Sequence, residues 1–413
     1  MIPASPSSHP DQILPQPCHD GPGAAVHRPN LTLAILAMAL GSFAIGTSEF
    51  AAMGLLPWYA ADLGVTEPQA GHVVSAYAVG VVVGAPITTI LGAKLPRRRY
   101  LAALIGIYGL MNLLAAMLPG YGALVGARFV AGLPHGGFLG VAMLFAADAL
   151  PRERRAQGVT QIILGLTVAN IAGVPLAGVL GQELGWRWGF ALPGVLALVS
   201  AALIYRLAPR VGADPDARPM RELGALRNGG VLLTLLVGTI GCGGMFAVYA
   251  YLSAAMMATT SPPGWALPVL LSLFGVGGTL GSILAARATI RFGAMRAALF
   301  LMLFMIATQG FASVAVGDWG LMLVSSFFLG LGSAVFVPLQ TRLMDIAGEA
   351  QSMAAAMNHA AFNAANALGP WVAGMALTAG WGWSSSGLVA IGFSTAGIVS
   401  LGLLALHLRR TGR

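Results

Sequence analysis

Twelve runs of predominantly apolar residues set the strongest limit on how this chain can fold. A helix needs about 20 apolar residues to cross the hydrocarbon layer of a membrane. None of the runs alternates with the period of two that marks a membrane-spanning strand. The sequence therefore predicts an all-α membrane protein with twelve transmembrane spans. Their approximate limits are 31 to 55, 70 to 92, 100 to 118, 121 to 147, 158 to 182, 189 to 207, 230 to 256, 266 to 286, 297 to 315, 319 to 343, 352 to 378 and 385 to 407.

The composition excludes a soluble globular protein. Only 9% of the 413 residues are charged and 57% are hydrophobic, whereas soluble domains carry about 25% charged residues. Too few charged side chains are present to cover a water-facing surface. The same composition excludes an intrinsically disordered chain, because such chains combine low hydrophobicity with high charge. Most of the surface must contact membrane lipid.

The basic residues indicate how the bundle is oriented. If the amino terminus is cytoplasmic, 20 of the 22 Lys and Arg residues fall in cytoplasmic segments. The two exceptions are Arg187 in an outer loop and Arg128 within a span. Because cytoplasmic loops are enriched in Lys and Arg, both termini are predicted to be cytoplasmic, in a bacterial-type inner membrane. The basic residues are dispersed along this face without a soluble basic domain, so nucleic acid is not an expected partner.

Three segments outside the spans are predicted to be cytoplasmic: a disordered tail over 1–29, a linker over 208–228 rich in Arg, Asp and Pro, and a short tail over 409–413. The first segment lacks the apolar core of about 7 to 15 residues that a signal peptide needs. It contains Cys18 and His19, but no second pair of ligands follows at the spacing of a metal site. We therefore expect neither a metal nor another cofactor.

The chain contains an internal repeat between the fifth and eleventh runs. Three polar or small residues recur in the same order 196 residues later. Each half would then hold six spans over 30–207 and 229–408, and an even number gives both halves the same orientation about an axis along the membrane normal. The predicted architecture is two pseudo-symmetric six-helix bundles. The repeated residues are Asn170, Gly173 and Gly178, and their counterparts are Asn366, Gly369 and Gly374.

Two local motifs are more specific than the repeat. The first run contains Gly46-Thr47-Ser48-Glu49-Phe50, and the fourth contains Gly132-Leu133-Pro134-His135-Gly136-Gly137. With these motifs the chain after residue 30 resembles the major facilitator superfamily. Within that superfamily it is similar to the twelve-helix drug/proton antiporters, near the sugar-efflux (arabinose-efflux-permease-like) and chloramphenicol-exporter-like members. The resemblance implies secondary active transport by alternating access, with proton-coupled efflux of a drug-like compound or a sugar.

The sequence departs from the family pattern at two places that bear on gating. Between the second and third spans the family usually has an Asp where this chain has Pro96, directly before Arg97. In the fifth span the family's Pro follows Gly directly, whereas Val174 intervenes here. Gating or structural roles are still expected for the family's small and basic positions and for the glycines that let helices approach closely. These are Gly92, Arg97, Arg98, Gly132, Gly173, Pro175, Gly178, Gly369 and Pro370.

Two residues that are charged at neutral pH lie clearly within the predicted spans. Glu49 lies eight residues before Pro57, and Arg128 lies eight residues after Gly120. At about 1.5 Å per residue both are roughly 12 Å below the outer surface, so they can meet. A charge in hydrocarbon costs at least about 2.5 to 3.5 kcal/mol and usually faces a cavity and a partner. Glu49 is therefore predicted to carry the proton under the influence of Arg128. The alternative is a permanent ion pair that holds the first and fourth spans together.

His135 lies seven residues after Arg128, on the same face of the fourth span. Histidine titrates near neutral pH, so His135 is a candidate for a proton relay. The alternative is a neutral imidazole that donates a hydrogen bond to a neighbouring helix, which would compensate for a kink at Pro134.

A polar stripe runs along the eleventh span, where His359, Asn363 and Asn366 fall at positions i, i+4 and i+7. The resemblance places this stripe toward the central cavity, where it could bind a polar substrate. The alternative is hydrogen bonding between helices. Tyr249 in the seventh span is a further candidate for substrate contact in an adaptable apolar pocket, and its alternative is core packing.

No motif of an enzyme occurs in the sequence. It contains no phosphate loop with Lys and Ser/Thr, no paired-histidine metal motif and no nucleophile elbow. The expected partners are a small-molecule substrate, protons and membrane lipid, and a monomer is expected. Two alternatives to proton-coupled export stay open. One is a facilitator or proton symporter on the same fold, and the other is a non-transporting polytopic receptor or assembly protein.

Overall fold

The computed structural model describes residues 31–92, 95–210, 228–346 and 351–411, which are almost entirely helical. A helix is present at each of the twelve predicted spans, which confirms the predicted fold class. A short helix, Leu56–Leu63, follows the first span. In chain order the spans are Leu31–Gly54, Glu67–Gly92, Arg97–Met117, Tyr121–Ala149, Arg155–Glu183, Trp186–Leu207, Gly229–Thr259, Ala266–Phe292, Ala294–Ala315, Trp319–Ile346, Gln351–Thr378 and Ser385–Thr411.

The amino-terminal tail over 1–29 and most of the linker over 208–228 lie outside the described residues. At the carboxy terminus, the helix of the twelfth span continues through Arg409 and Arg410 to Thr411, and the last two residues lie outside the described part of the chain.

Turn residues with specific backbone geometry set the ends of several helices. Gly64 and Gly293 adopt positive φ angles of 65° and 82°, a conformation that other residues rarely adopt. Asn228 and Asp318 precede the seventh and tenth spans, and their side-chain oxygens accept hydrogen bonds from backbone N–H groups of the first helical turn. Such bonds satisfy donors that have no partner within the helix. Short local signals of this kind divide the apolar runs into separate spans.

Eleven of the described helices are long and apolar enough to cross a membrane. The eleventh span is also long, at 28 residues, but polar side chains lower its mean hydropathy. Asn358, Asn363 and Asn366 are at most 2% exposed, so these side chains lie inside the bundle. Polar residues in a membrane helix are tolerated where they face the interior and find partners. The low hydropathy of the eleventh span therefore reflects its central position.

Closely packed pairs of helices occur at equivalent places in the first six and the last six spans, which we name the amino-terminal and carboxy-terminal halves. The second and fourth spans are so close that a Cβ atom added at Gly80 would lie 2.1 Å from the carbonyl oxygen of Phe129. A Cβ atom added at Gly277 of the eighth span would lie 2.1 Å from the carbonyl oxygen of Phe327 of the tenth. Gly277 follows Gly80 by 197 residues, and Phe327 follows Phe129 by 198 residues. The repeated packing supports the predicted duplication.

The fifth span contains a π-helical turn over Ala169–Gly173, directly before Val174 and Pro175. A π turn closes its hydrogen bond one residue later than an α turn. Proline has no N–H to donate within a helix. The extra residue between Gly173 and Pro175 is therefore accommodated where the helix is already widened. Gly173 packs tightly on the first span, because an added Cβ atom would lie 2.1 Å from Thr47 Oγ1.

The two halves pack against each other unevenly along the membrane normal. We name the end of the bundle at which the first and seventh spans begin the terminal face, and the other end the opposite face. Next to the terminal face, segment Arg155–Val168 of the fifth span packs on the first and fourth spans of its own half. Nearer the opposite face, Val174–Glu183 packs on the eighth span of the other half. Within the described residues, close packing between the halves thus lies in the middle and toward the opposite face.

Candidate functional site

Arg128 is a fully buried guanidinium in the amino-terminal half. Its Nη1 atom donates hydrogen bonds to Ser48 Oγ at 2.8 Å and to Asn112 Oδ1 at 3.2 Å. Its Cζ atom lies 4.1 Å from the ring centroid of Tyr77 and 5.3 Å from that of Phe190. Neutral dipoles and aromatic faces from the first, second, third and sixth spans therefore hold this cation.

Glu49 follows Ser48 in the first span and is 4% exposed. Its Oε1 atom accepts a hydrogen bond of 3.2 Å from Asn366 Nδ2 of the eleventh span. Within the described residues, ion pairs shorter than 4 Å join Arg97 to Asp148 and Arg187 to Asp62.

Glu49 and Arg128 thus form no direct ion pair in this conformation, although both lie in the same region as predicted. The reason is helical geometry, because neighbouring residues of a helix point about 100° apart. Ser48 faces the fourth span, whereas Glu49 faces the eleventh. This arrangement argues against a permanent ion pair between the first and fourth spans.

His135 joins the fourth span to two other spans. Its Nδ1 atom lies 2.8 Å from Tyr77 Oη, and its Nε2 atom lies 3.0 Å from His359 Nε2. Tyr77 Oη in turn lies 3.4 Å from Tyr108 Oη of the third span. His135 and His359 thus connect the two halves, which the sequence did not predict.

The predicted polar stripe of the eleventh span divides into separate contacts. His359 and Asn366 reach the amino-terminal half, whereas Asn363 Nδ2 donates to the carbonyl oxygen of His359 at 3.1 Å. The Oδ1 atoms of Asn363 and Asn366 are buried without a hydrogen-bond partner. A buried acceptor without a partner is costly and uncommon. These two oxygens are thus unsatisfied acceptors in the interior of the bundle.

Tyr249 lies in an aromatic cluster at the interface between the halves. Its ring stacks on Phe274 with a centroid separation of 3.8 Å, and it lies 6.0 Å from Phe50 of the first span. Phe246 extends the cluster to Phe362 of the eleventh span at 4.8 Å. Phe50 follows Glu49 in the chain, so the cluster meets the first span at the level of the carboxylate, on a face about 100° away from it.

The basic residues of the turn between the second and third spans contact the terminal-face ends of other spans. Arg97 forms an ion pair with Asp148 of the fourth span, so a carboxylate from another span pairs with it although the loop acid of the family is absent. The Cζ atom of Arg98 lies 4.9 Å from the ring centroid of Tyr205. A Cβ atom added at Gly92 would lie 2.2 Å from the ring of Tyr100. This turn is thus fixed to the third, fourth and sixth spans.

The remaining predicted gating residues lie where helices approach closely. Gly132 and Gly369 face the backbones of neighbouring spans, where an added Cβ atom would lie 2.2 Å and 2.3 Å from carbonyl oxygens. A Cβ atom added at Gly178 would lie 3.0 Å from the side chain of Leu271 in the other half. The carbonyl oxygen of Pro370 accepts a hydrogen bond of 3.0 Å from the hydroxyl of Tyr251. Gly178 is the residue of this group that lies at the interface between the halves.

Several residues of the site carry no strong signal in the sequence. Asn112 is a single amide in an apolar run, so its polarity alone marks it as a candidate. Tyr77 and Tyr108 carry no charge, and only the structure shows that their hydroxyl groups reach His135 or each other. Within the described residues, no group of three His, Cys, Asp or Glu side chains could hold a metal ion.

A bundle of membrane-spanning helices in two similar halves, with buried charged and amide side chains between them, is the architecture of a secondary transporter. The model of the Major Facilitator Superfamily matches residues 38–261 and 253–413. The chain belongs to this superfamily.

Three relatives are informative. The inner membrane transport protein YdhP of Escherichia coli (strain K12) is 37% identical over 85% of this chain and 90% of the relative. The chloramphenicol resistance protein of Streptomyces lividans is 34% identical over 89% of this chain and 96% of the relative. A probable sugar efflux transporter of Mannheimia succiniciproducens is 27% identical over 80% of this chain and 83% of the relative. The Escherichia coli relative is named as an inner membrane transport protein, the Mannheimia relative as an efflux transporter, and the Streptomyces relative for chloramphenicol resistance.

Among solved structures, a mutant of the nucleoside transporter NupG superposes with a TM-score of 0.73 at 14% sequence identity. The match covers 91% of this chain and 100% of that transporter. At this identity the likeness shows the shared fold alone.

Proposed function

We propose that this protein exports a small molecule, either a drug-like compound or a sugar, in exchange for protons, and that both of its termini are cytoplasmic. The names of the efflux and resistance relatives support export. The concentration of Lys and Arg on the terminal face supports the orientation. With this orientation the described conformation is closed toward the outside, and substrate enters from the cytoplasm.

The observation that carries the proposal is the position of Glu49 between the halves. The carboxylate belongs to the amino-terminal half, but its hydrogen-bond donor, Asn366, belongs to the carboxy-terminal half. Any movement that separates the first and eleventh spans breaks this bond and exposes the carboxylate to water. Because hydrogen bonds and desolvation both change proton affinity, Glu49 has a different proton affinity in each conformation, as a coupling residue must.

Arg128 sets the charge of the same region without neutralising Glu49 directly. It is bound to Ser48, the residue before Glu49, so its position is fixed relative to the carboxylate. A fixed buried cation favours the deprotonated carboxylate at short range. Proton release by Glu49 thus leaves a balanced pair of charges in the interface, and proton uptake leaves Arg128 with its neutral partners.

The substrate site lies between the halves, next to Glu49. The aromatic cluster around Tyr249 and Phe274 provides an apolar wall. The unpartnered Oδ1 atoms of Asn363 and Asn366 provide acceptors. An apolar wall with a few convergent polar groups is the usual composition of a small-molecule site. A protonated Glu49 gains an O–H donor that can bond to Asn366 Oδ1. Protonation and a donor group of the substrate then compete for the same oxygen, which is a physical basis for exchange.

Proton movement in proteoliposomes tests this function. The purified protein is reconstituted with a pH-sensitive dye inside, and chloramphenicol and a panel of sugars are applied as probes. Antiport predicts that protons move against the direction of the transported probe. Movement in the same direction would show symport, and transport without proton movement would show facilitated diffusion. Either result would contradict the proposal.

A further inference from the structure

Four hydrogen bonds with side-chain donors join the two halves within the described residues. Two of them run from serine hydroxyl groups to backbone carbonyl oxygens, at 2.9 Å each. The third is the bond between Asn366 and Glu49, and the fourth joins two imidazole rings. The serine bonds cannot titrate near neutral pH, so only the last two respond to protons. The bonded pairs are Ser75 with Ala367, Ser253 with Met53, Asn366 with Glu49, and His135 with His359.

The imidazole contact lies nearest to the terminal face. The eleventh span begins at Gln351 beside this face, and His359 precedes Asn366 in it by seven residues. At about 1.5 Å per residue, His359 lies roughly 10 Å nearer to the terminal face. His359 remains partly exposed, whereas His135 is fully buried. The contact therefore lies at the edge of the interface, where the halves begin to part and water first reaches them.

The geometry of this contact requires a single proton between the rings. The two Nε2 atoms are 3.0 Å apart, so one must carry hydrogen and the other must offer a lone pair. A neutral pair meets this condition. A pair with one additional proton also meets it, and its hydrogen bond is strengthened by the charge. When both rings are protonated, two N–H groups face each other and the bond is lost.

No carboxylate among the described residues forms an ion pair with either ring. Arg128 lies two turns earlier on the fourth span, and Tyr77 bonds the other nitrogen of His135. A second positive charge therefore repels the first without a counter-ion. Besides the two histidines, the titratable and charged groups on the fourth and eleventh spans and on the spans packed against them are Glu49 on the first, Glu67, His72 and Tyr77 on the second, Arg97, Arg98, Arg99, Tyr100 and Tyr108 on the third, Tyr121, Arg128 and Asp148 on the fourth, Arg155 and Glu183 on the fifth, Cys242, Tyr249 and Tyr251 on the seventh, Arg342 and Asp345 on the tenth, and His407, Arg409 and Arg410 on the twelfth.

We propose that His135 and His359 form a proton-sensitive latch between the halves, separate from Glu49. The latch holds while the rings share one hydrogen and opens when both are protonated. It rests on the proposed function, because it regulates the same movement of the halves, but it needs no substrate. Acidification on the side of the terminal face then favours conformations in which the fourth and eleventh spans are apart.

Distance measurements between the halves test the latch in the full chain. Spin labels are placed at Leu95→Cys, in the turn after the second span, and at Ile290→Cys, near the terminal-face end of the eighth span. Both side chains are exposed, at 42% and 87%. The two native cysteines, Cys18 and Cys242, are replaced by Ser and Ala. The protein is studied in lipid nanodiscs without substrate, by pulsed electron paramagnetic resonance between about pH 8 and pH 5.

The latch predicts that the distance distribution shifts as the pH falls and that His135→Gln and His359→Gln each abolish the shift. Glutamine can form a hydrogen bond but does not titrate in this range. Because Glu49 also changes its proton affinity between the conformations in the proposed function, the histidine variants are compared in the Glu49→Gln background, which by itself is expected to keep a shift. If the shift persists in both histidine variants, or if the parent protein shows none, the latch is wrong. If Glu49→Gln alone abolishes it, the transition belongs to Glu49, so the latch fails while the proposed function stands.

A thermal double-mutant cycle keeps the test valid if one variant folds poorly. At pH 8 the two glutamine substitutions are expected to be non-additive in Tm, because each removes the same contact. At pH 5 the non-additivity is expected to disappear. Additive effects at both pH values would contradict a contact between the rings that protons control.

Discussion

At the scale of single residues, Arg128 places a guanidinium group in the interior of the amino-terminal half. Its side chain is fully buried, and its hydrogen-bond partners are Ser48 and Asn112 rather than a carboxylate. The planar guanidinium contacts both partners while its face lies on Tyr77. Lysine has neither the fork of donors nor the flat surface. The site therefore depends on the shape of arginine as well as on its charge.

We predict that Arg128→Lys lowers both thermal stability and transport. Hydrogen bonds to a charged group contribute about 1.5 to 3 kcal/mol each, so the loss of one bond lowers the free energy of unfolding by about that amount. Thermal unfolding of the purified protein measures the effect. Arg187→Lys is the matched control, because Arg187 is exposed and its ion pair with Asp62 is expected to contribute about 0 to 1 kcal/mol. Equal effects of the two substitutions would contradict this account of Arg128.

A second residue-scale prediction concerns Asp62, which lies beyond the end of the first span. Hydrogen bonds from Arg187 and Trp186 hold the pKa of the Asp62 carboxyl below its usual value. The resulting stabilisation is present above the unfolded pKa of about 4 and is lost as the pH falls through the lower folded pKa. Because the site is exposed to water, the effect is well below about 1 kcal/mol. The stability difference between the parent protein and Arg187→Gln should thus be constant above about pH 5 and shrink in acid.

At the scale of elements, the apolar runs predicted the spans because each crossing needs a fixed length of apolar helix. The charged residues Glu49 and Arg128 were also identifiable, since a buried charge stands out in an apolar run. Their actual partners were not identifiable. The direction of Glu49 toward Asn366 depends on how the halves pack, and the contact between His135 and His359 joins residues 224 positions apart. The sequence carries no local signal for either.

The π-helical turn of the fifth span gives a prediction about insertions and deletions. Deletion of Val174 should be tolerated, because the π turn can return to an α turn and keep Gly178 against Leu271. Deletion of Ile163 is the matched control, since this side chain is exposed. Gly165 packs closely on the first span, because a Cβ atom added there would lie 2.2 Å from the carbonyl oxygen of Ala39. Deletion of Ile163 rotates Gly165 by about 100° away from this contact. Yield and Tm of the purified variants measure the difference, and a similar loss in both would count against this explanation.

At the scale of the whole molecule, the halves are held together in the middle and at the opposite face. Gly275 of the eighth span is part of this interface, because a Cβ atom added there would lie 2.3 Å from the carbonyl oxygen of Asn170. Alternating access requires that this contact open in the other conformation. A bulky residue at Gly275 should therefore disfavour the described conformation and increase the population of the other one.

We predict that Gly275→Val increases the labelling of Ser253→Cys by a membrane-impermeant maleimide about tenfold, which corresponds to about 1.4 kcal/mol. Ser253 is 2% exposed and bonds to Met53 of the other half, so it becomes accessible only when the halves part. Gly310→Val is the control, because a Cβ atom added there meets only Ile391, at 3.8 Å. Unchanged labelling in Gly275→Val, or an equal increase in the control, would contradict the role of this interface.

Proton-coupled export depends most directly on Glu49, which we propose carries the coupled proton. Transport by the parent protein, Glu49→Gln and the exposed control Glu183→Gln is measured in one set of proteoliposomes, with and without an imposed pH gradient. We predict that Glu49→Gln still exchanges substrate across the membrane but loses accumulation driven by the pH gradient, whereas Glu183→Gln keeps both. Accumulation by Glu49→Gln at the parental level would show that Glu49 does not carry the coupled proton.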